Sequence, residues 1–295
     1  MAAKSSTRRK AASPAWVVLK FGGTSVSSVE RWETIATLLR QRLAEGLRPV
    51  VVHSALATVS NKLDELLHRA LEMDVTAQVA GIRELHLRLA AGLQVDGEKE
   101  LGGYFRELEQ LLAGIHLIRE VSPRIQARVM GLGELMATRL GAAYLARVGL
   151  KVTWLDAREL LRSNMPPGTN ERSAWLAANC DFDPDAELQA RFAAEAGVVL
   201  TQGFIASNAR GDGVLLGRGG SDTSGAYFAA KLQAAVLEIW TDVPGMFTAN
   251  PKVVPGARLL RLLSYEEAQE IASTGGSVLH PRCIRPCKRH DIPLK

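Results

Sequence analysis

The sequence predicts an α/β fold built on a mostly parallel sheet, and three observations carry that expectation. Short apolar runs such as Trp16-Val17-Val18-Leu19 and Pro49-Val50-Val51-Val52-His53 stop abruptly at glycine or polar residues, as strands buried on both faces do. A helical stretch separates these two runs, giving the spacing of a βαβ unit. Between residues 60 and 120, leucines recur at helical spacing (Leu63, Leu66, Leu67, then Leu85 and Leu89).

Taken in order, residues 15–21 form a first strand ending at Lys20-Phe21, followed by Gly22-Gly23. Thr24 and Ser25 are then placed to cap a helix over about residues 27–45, with Gly46 as its stop. Pro49–His53 is the second strand. Ser122-Pro123 is an N-cap followed by proline in the first helical turn, and that helix runs to Gly149. Val152–Leu155 is a strand. Asp183-Pro184 is expected to open a helix that ends at Gly197, before the strand Val198-Val199-Leu200. Turn residues Asn208, Gly211, Asp212 and Gly213 between short apolar runs predict a hairpin within 203–217. Ser221–Leu232 reads as a helix, Ala235–Trp240 as a strand, and Ser264 with Glu267 as a capping box. No repeat period or low-complexity linker divides residues 16–295, so one continuous unit is expected there.

Composition narrows the function classes. The chain has 295 residues, 47% hydrophobic and 23% charged, enough for a substantial core. The formal charge is +5, but Lys4, Arg8, Arg9 and Lys10 fall in an acid-free stretch at the start; removing those four leaves the body at +1. A groove that tracks nucleic acid needs far more basic charge, so no nucleic-acid partner is expected. Residues 1–15 are expected to be a disordered basic tail. No run approaches the roughly 20 apolar residues of a membrane span, and three cysteines (Cys180, Cys283, Cys287) suit a reducing compartment. A cytoplasmic protein without a membrane partner is the expectation.

Four segments carry possible chemistry. In Lys20-Phe21-Gly22-Gly23-Thr24-Ser25, glycines at a strand's carboxyl end let backbone amides approach an anion, and Lys20 adds a full positive charge. It is not a Walker A loop, and a tight turn with a solvated lysine is the plain alternative. Leu216-Gly217-Arg218-Gly219-Gly220-Ser221-Asp222 opens a second helix on glycines. Arg218 there has the planar fork that suits a carboxylate or phosphate, and Asp222 sits in the first helical turn. Trp240–Lys252 is too polar and turn-rich for core and fits a ligand-facing loop. His280, Cys283, Cys287 and His290 have a superficially metal-like order. One straight helix cannot bring four ligands into a tetrahedron, so no metal site is expected. His53, His68, His86 and His116 show no catalytic pattern.

Together, and in this order, the segments resemble the catalytic domain of aspartokinases, in the amino-acid kinase superfamily. The likeness spans about Trp16 to Leu294. It rests on Lys20–Ser25, Ser54-Ala55-Leu56, Gly133-Glu134-Leu135-Met136, Thr201-Gln202-Gly203-Phe204-Ile205, Leu216–Asp222, Trp240–Gly245 and Val278-Leu279-His280-Pro281. It implies a three-layer α/β/α sandwich of two lobes, about 16–200 binding aspartate and about 201–295 binding ATP. The implied reaction is ATP-dependent phosphorylation of the L-aspartate side-chain carboxylate to 4-phospho-L-aspartate, with magnesium, at the head of lysine, threonine and methionine biosynthesis.

By the same carry-over, Lys20 stabilises the transferring phosphoryl group and Asp222 holds Lys20. Glu134 meets the substrate ammonium and Arg218 its α-carboxylate, while Ser54, Ser60, Gly219, Gly220 and Ser221 line the aspartate pocket. Phe21, Gly22 and Gly23 join Lys20 at the phosphates. Thr241, Asp242, Phe247, Lys252 and Ser277 surround the rest of the nucleotide. An aspartate side chain, with a pKa near 3.9, is already ionised at neutral pH, so this chemistry needs no general base.

The sequence departs from the family pattern at several places. Leu215 stands where threonine is frequent, and Phe247, Asn250 and Lys252 stand where tyrosine, aspartate and arginine are frequent. Ser277 replaces the usual lysine, so weaker nucleotide contacts are expected with Lys20, Glu134, Arg218 and Asp222 intact. Aspartokinases usually continue into paired ACT regulatory domains, which are absent up to Lys295, so inhibition by lysine or threonine is not expected. A homodimer and a separate or fused regulatory or enzymatic domain are compatible with the family. The alternatives are a sister kinase acting on glutamate or N-acetylglutamate, disfavoured by Glu134, and a silent nucleotide- or amino-acid-binding regulator, disfavoured by Lys20 and Asp222.

Overall fold

The computed structural model describes residues 15–250, 253–274 and 279–295, so the basic tail expected over 1–15 lies, but for residue 15, outside the described residues. In chain order the elements begin with β1 (Trp16–Phe21), a single 3-10 turn (Thr24–Val26), α1 (Val29–Ala44), β2 (Arg48–His53), α2 (Val59–Ala70), α3 (Thr76–Gly92), α4 (Gly97–Ile118) and α5 (Pro123–Arg147). There follow β3 (Val152–Trp154), α6 (Ala157–Leu160), β4 (Ser163–Asn164), α7 (Glu171–Leu176), β5 (Asn179–Cys180), α8 (Ala186–Ala194) and β6 (Val198–Gln202). The chain closes with β7 (Ile205–Ser207), β8 (Gly213–Leu215), α9 (Gly220–Leu232), β9 (Val236–Trp240), α10 (Tyr265–Ser273) and α11 (Pro281–Arg289).

Five strands form one sheet in the order β3-β6-β2-β1-β9, and every pairing in it is parallel. The strands are largely apolar because both faces are covered, with Lys20, His53, Thr201, Gln202 and Glu238 among the buried polar exceptions. In the β1–β2 register Lys20 lies opposite Val52 and Phe21 opposite His53, so Lys20 and His53 face opposite sides of the sheet. On the Lys20 side runs α9, where a Cβ at Gly225 would stand 3.3 Å from Lys20 Cβ. On the His53 side Trp32 of α1 meets the His53 ring at 5.4 Å, and α5 passes so close that a Cβ at Gly141 would stand 2.2 Å from Trp32. These contacts define three layers, α/β/α, as expected.

The hairpin expected within 203–217 is the antiparallel pair β7–β8. The Ser122 cap is present, its side chain accepting from Ile125 N–H, and the Ser264–Glu267 capping box is complete. Two expected helix starts move. Thr24 and Ser25 do not cap α1; they lie in the 3-10 turn, and α1 begins only after Ser28. The helix expected from Asp183-Pro184 begins at Ala186, because it is Asp185 whose carboxylate accepts from Leu188 N–H, while Asp183 pairs with Arg289 at 2.7 Å. No described helix is long and apolar enough to cross a membrane.

Candidate active site

Parallel strands bring their carboxyl ends to one edge of the sheet, so the segments after β1, β2, β6 and β9 meet there. β1 is also where the order reverses: β2 lies on one side of it and β9 on the other. Such a switch point leaves a crevice at the strand ends, where ligands of open α/β sheets bind.

Lys20, near the end of β1, is 9% exposed. Its ammonium makes an ion pair of 2.5 Å with Asp222 Oδ1 in the first turn of α9. The two glycine turns of the sequence therefore converge. Gly23 is required by close approach: a Cβ there would stand 2.7 Å from Ala55 O and 3.2 Å from Ala57 N. The turn is locked to the segment after β2 through Ser27, whose hydroxyl donates to Gly23 O at 2.6 Å and accepts from Ala57 N–H at 2.8 Å.

The second turn is equally constrained. Gly219 is left-handed, with φ +66, and a Cβ on it would lie 2.0 Å from the His280 ring. Gly203, just past β6, abuts Ser221, where a Cβ would come within 2.7 Å. Burial, Arg282 and Arg218 disfavour the charged His280 ring and Asp222 opposes them, which places all these groups around the same turn. Arg218 itself is exposed at the mouth.

Glu134 comes from the middle of α5, 2% exposed. One carboxyl oxygen accepts from Ala55 N–H at 3.3 Å, and the other has no partner. Burial pushes its pKa from 4.5 to about 8. A buried acid with an unpartnered oxygen beside the turn after β2 makes Glu134 a candidate site residue. Ser54 follows β2, and Ser60 sits half-buried in the first turn of α2.

Thr241 and Asp242 are exposed directly beyond β9, the Thr241 hydroxyl donating to Asp242 Oδ1 at 3.2 Å. Phe247 pairs with Leu259 in an antiparallel bridge. Lys252 and Ser277 lie outside the described residues. Among the described residues, no group of three His, Cys, Asp or Glu side chains is placed to hold a metal. His280 is occupied as the α11 cap, accepting from Arg282 N–H, and Cys283 and Cys287 are buried. His53 and His86 are buried core groups, which burial lowers to a pKa of about 4. A separate cavity of about 960 Å³, lined by Phe182, Tyr227, Arg285 and Lys288 among others, contains none of the expected site residues.

Sequence reasoning did not single out Gly203 or the His280–Gly219 contact as parts of the site. Both depend on close approach between distant segments, and the only signal was the presence of Gly203 and His280 in the motifs.

The molecule is thus an α/β protein in which two glycine turns and a buried Lys20–Asp222 pair converge at the carboxyl edge of a parallel sheet. The chain belongs to the amino acid kinase family, whose model matches residues 15–295. It is 34% identical to aspartokinase 2, chloroplastic, of Arabidopsis thaliana over 290 residues, which are 94% of this chain and 51% of that protein. It is also 34% identical to lysine-sensitive aspartokinase 3 of Escherichia coli over 283 residues, 94% of this chain and 60% of that protein. The structure of E. coli aspartokinase III in complex with aspartate and ADP superposes with a TM-score of 0.82 at 32% identity, covering 94% of this chain and 60% of that one. The chain spans about half the length of such relatives.

Proposed function

We propose that this chain transfers the γ-phosphoryl group of magnesium-ATP to the side-chain carboxylate of L-aspartate, forming 4-phospho-L-aspartate and ADP. The observation that carries this proposal is the 2.5 Å ion pair joining Lys20 of the first glycine turn to Asp222 of the second. That pair holds a buried positive charge at the carboxyl edge of the sheet, where backbone amides of Gly22 and Gly23 can share a phosphate. The similarity to proteins named aspartokinases, one solved with aspartate and ADP, supports the choice of substrate.

The chemistry asks little covalent work of the protein. The attacking carboxylate is ionised, so no base is needed; the obstacle is bringing one anion against another. Lys20 offsets that repulsion and Asp222 fixes its position. Glu134, deprotonated on binding, would receive the substrate ammonium on its free oxygen, and Arg218 would take the α-carboxylate. Since the described side chains offer no cage for a metal, magnesium would arrive with ATP, held by its phosphates. Thr241, Asp242 and Phe247 would flank the rest of the nucleotide, with Lys252 and Ser277. The aspartate pocket would then draw on both halves of the chain, and the nucleotide mainly on the part after residue 200.

The test is ADP release with magnesium-ATP and aspartate, glutamate or N-acetylglutamate in turn, trapping acyl phosphate with hydroxylamine. Hydroxamate from aspartate alone is expected. Silence with every acid, despite ATP binding, would overturn the proposal in favour of a regulator.

A further inference from the structure

Arg282 is one residue that neither the expected site nor the family likeness assigns. It occupies the second position of α11, and its guanidinium donates to Leu216 O, to Ala178 O at 3.0 Å and to Asn179 Oδ1 at 2.7 Å. Leu216 is fully buried, so its carbonyl has no water to turn to if the arginine leaves. Ala178 is bonded in turn to the same hairpin, its N–H donating to Leu215 O at 2.8 Å. Directly after Leu216 the chain takes two left-handed turns, at Gly217 (φ +73) and Gly219 (φ +66), before delivering Ser221 and Asp222. Glycine adopts that conformation without strain but is equally free to leave it, so the shape of the loop depends on what anchors its ends. The Arg282 fork at the loop's entry and the His280 ring against Gly219 supply that constraint, both from the first residues at the start of α11.

We propose that Arg282 is a positioning residue for the 216–222 turn: it touches neither ligand place, and sets where Arg218, Ser221 and Asp222 stand. Its consequence for catalysis rests on the aspartate reading above; its effect on the turn does not. Planar, forked donation to two carbonyls and an amide is what lysine reproduces only in part.

The test uses the full chain with Arg282→Met, Arg282→Lys and, as a control on the same helix, Arg285→Met, which has no hydrogen bond to the turn. Amide hydrogen exchange over residues 217–224 is expected to quicken about tenfold in Arg282→Met, the loss of one charge-assisted hydrogen bond. The change should be partly reversed in Arg282→Lys and absent in Arg285→Met. In kinetics, kcat/KM for aspartate should fall by a similar factor, through Arg218 and Ser221 at the substrate and through Asp222, which holds Lys20, and should recover in part in Arg282→Lys. A global loss of exchange protection would mean that Arg282 only stabilises the fold and would overturn the proposal, as would unchanged exchange in the turn or an equal effect in Arg285→Met. Wild-type chain inactive toward aspartate would overturn the kinase reading instead, and the exchange result would still decide the role of Arg282.

Discussion

Replacing Glu134 by glutamine should make the ligand-free protein more stable while removing its capacity to recognise an ammonium group. Burial raises this carboxyl from 4.5 to about 8, so at pH 7 the folded state holds a proton that the unfolded chain has released. Holding it costs about 1.4 kcal/mol for each pH unit above 4.5, or about 3 kcal/mol at pH 7. Glutamine occupies the same volume, can still accept from Ala55 N–H, and leaves the same second atom unpartnered, so this proton cost is the main difference. The sign follows from linkage: for a raised carboxyl the folded state binds more protons, and the group's contribution falls as pH rises from 4.5 to about 8, then levels. Urea unfolding at pH 5 and pH 7.5 measures it. The wild type should lose about 3 kcal/mol over that interval relative to Glu134→Gln, reaching a gap of about 4 kcal/mol at the upper end. Parallel curves, or a variant less stable at pH 7.5, would show instead that the buried carboxylate is already compensated inside the protein.

Three other outcomes are expected. Lys20→Met should keep its fold by circular dichroism yet lose about a thousandfold in kcat, as removal of a transition-state charge does. The wild-type KM for aspartate should rise about tenfold for each pH unit below about 8, because Glu134 must shed its proton to meet the ammonium; initial rates from pH 6 to pH 9 would show the slope or its absence. Gly219→Ala should cost about 2 kcal/mol or more in thermal unfolding, since its Cβ would meet the His280 ring at 2.0 Å in a left-handed conformation.

Much of the fold was legible because β1, β2 and β6 are apolar on both faces and end at glycine or polar residues, a pattern that survives without tertiary information. The β4–β5 pair was not, because two residues on each side, Ser163-Asn164 and Asn179-Cys180, have no period to detect. The start of α8 was misplaced because Asp183 and Asp185 are both able caps: Asp185 caps the helix while also pairing with Lys231, and Asp183 pairs with Arg289. The α1 start failed similarly, because contact with Ala57 recruits Ser27 for the turn. For the site, single motifs were ambiguous, whereas the two glycine turns read together pointed to a meeting of Lys20 and Asp222, which lie 2.5 Å apart. The unused oxygen of Glu134 and the neighbours of Gly203 and Gly219 follow from packing between segments, which no local pattern encodes.

The most direct measurement is a crystal structure with aspartate and a non-hydrolysable ATP analogue bound. The Lys20 ammonium is expected on a γ-phosphoryl oxygen while still paired with Asp222, and the aspartate ammonium on the free oxygen of Glu134. A nucleotide seated away from the Gly22-Gly23 turn, or an aspartate whose ammonium finds no Glu134, would contradict that expectation.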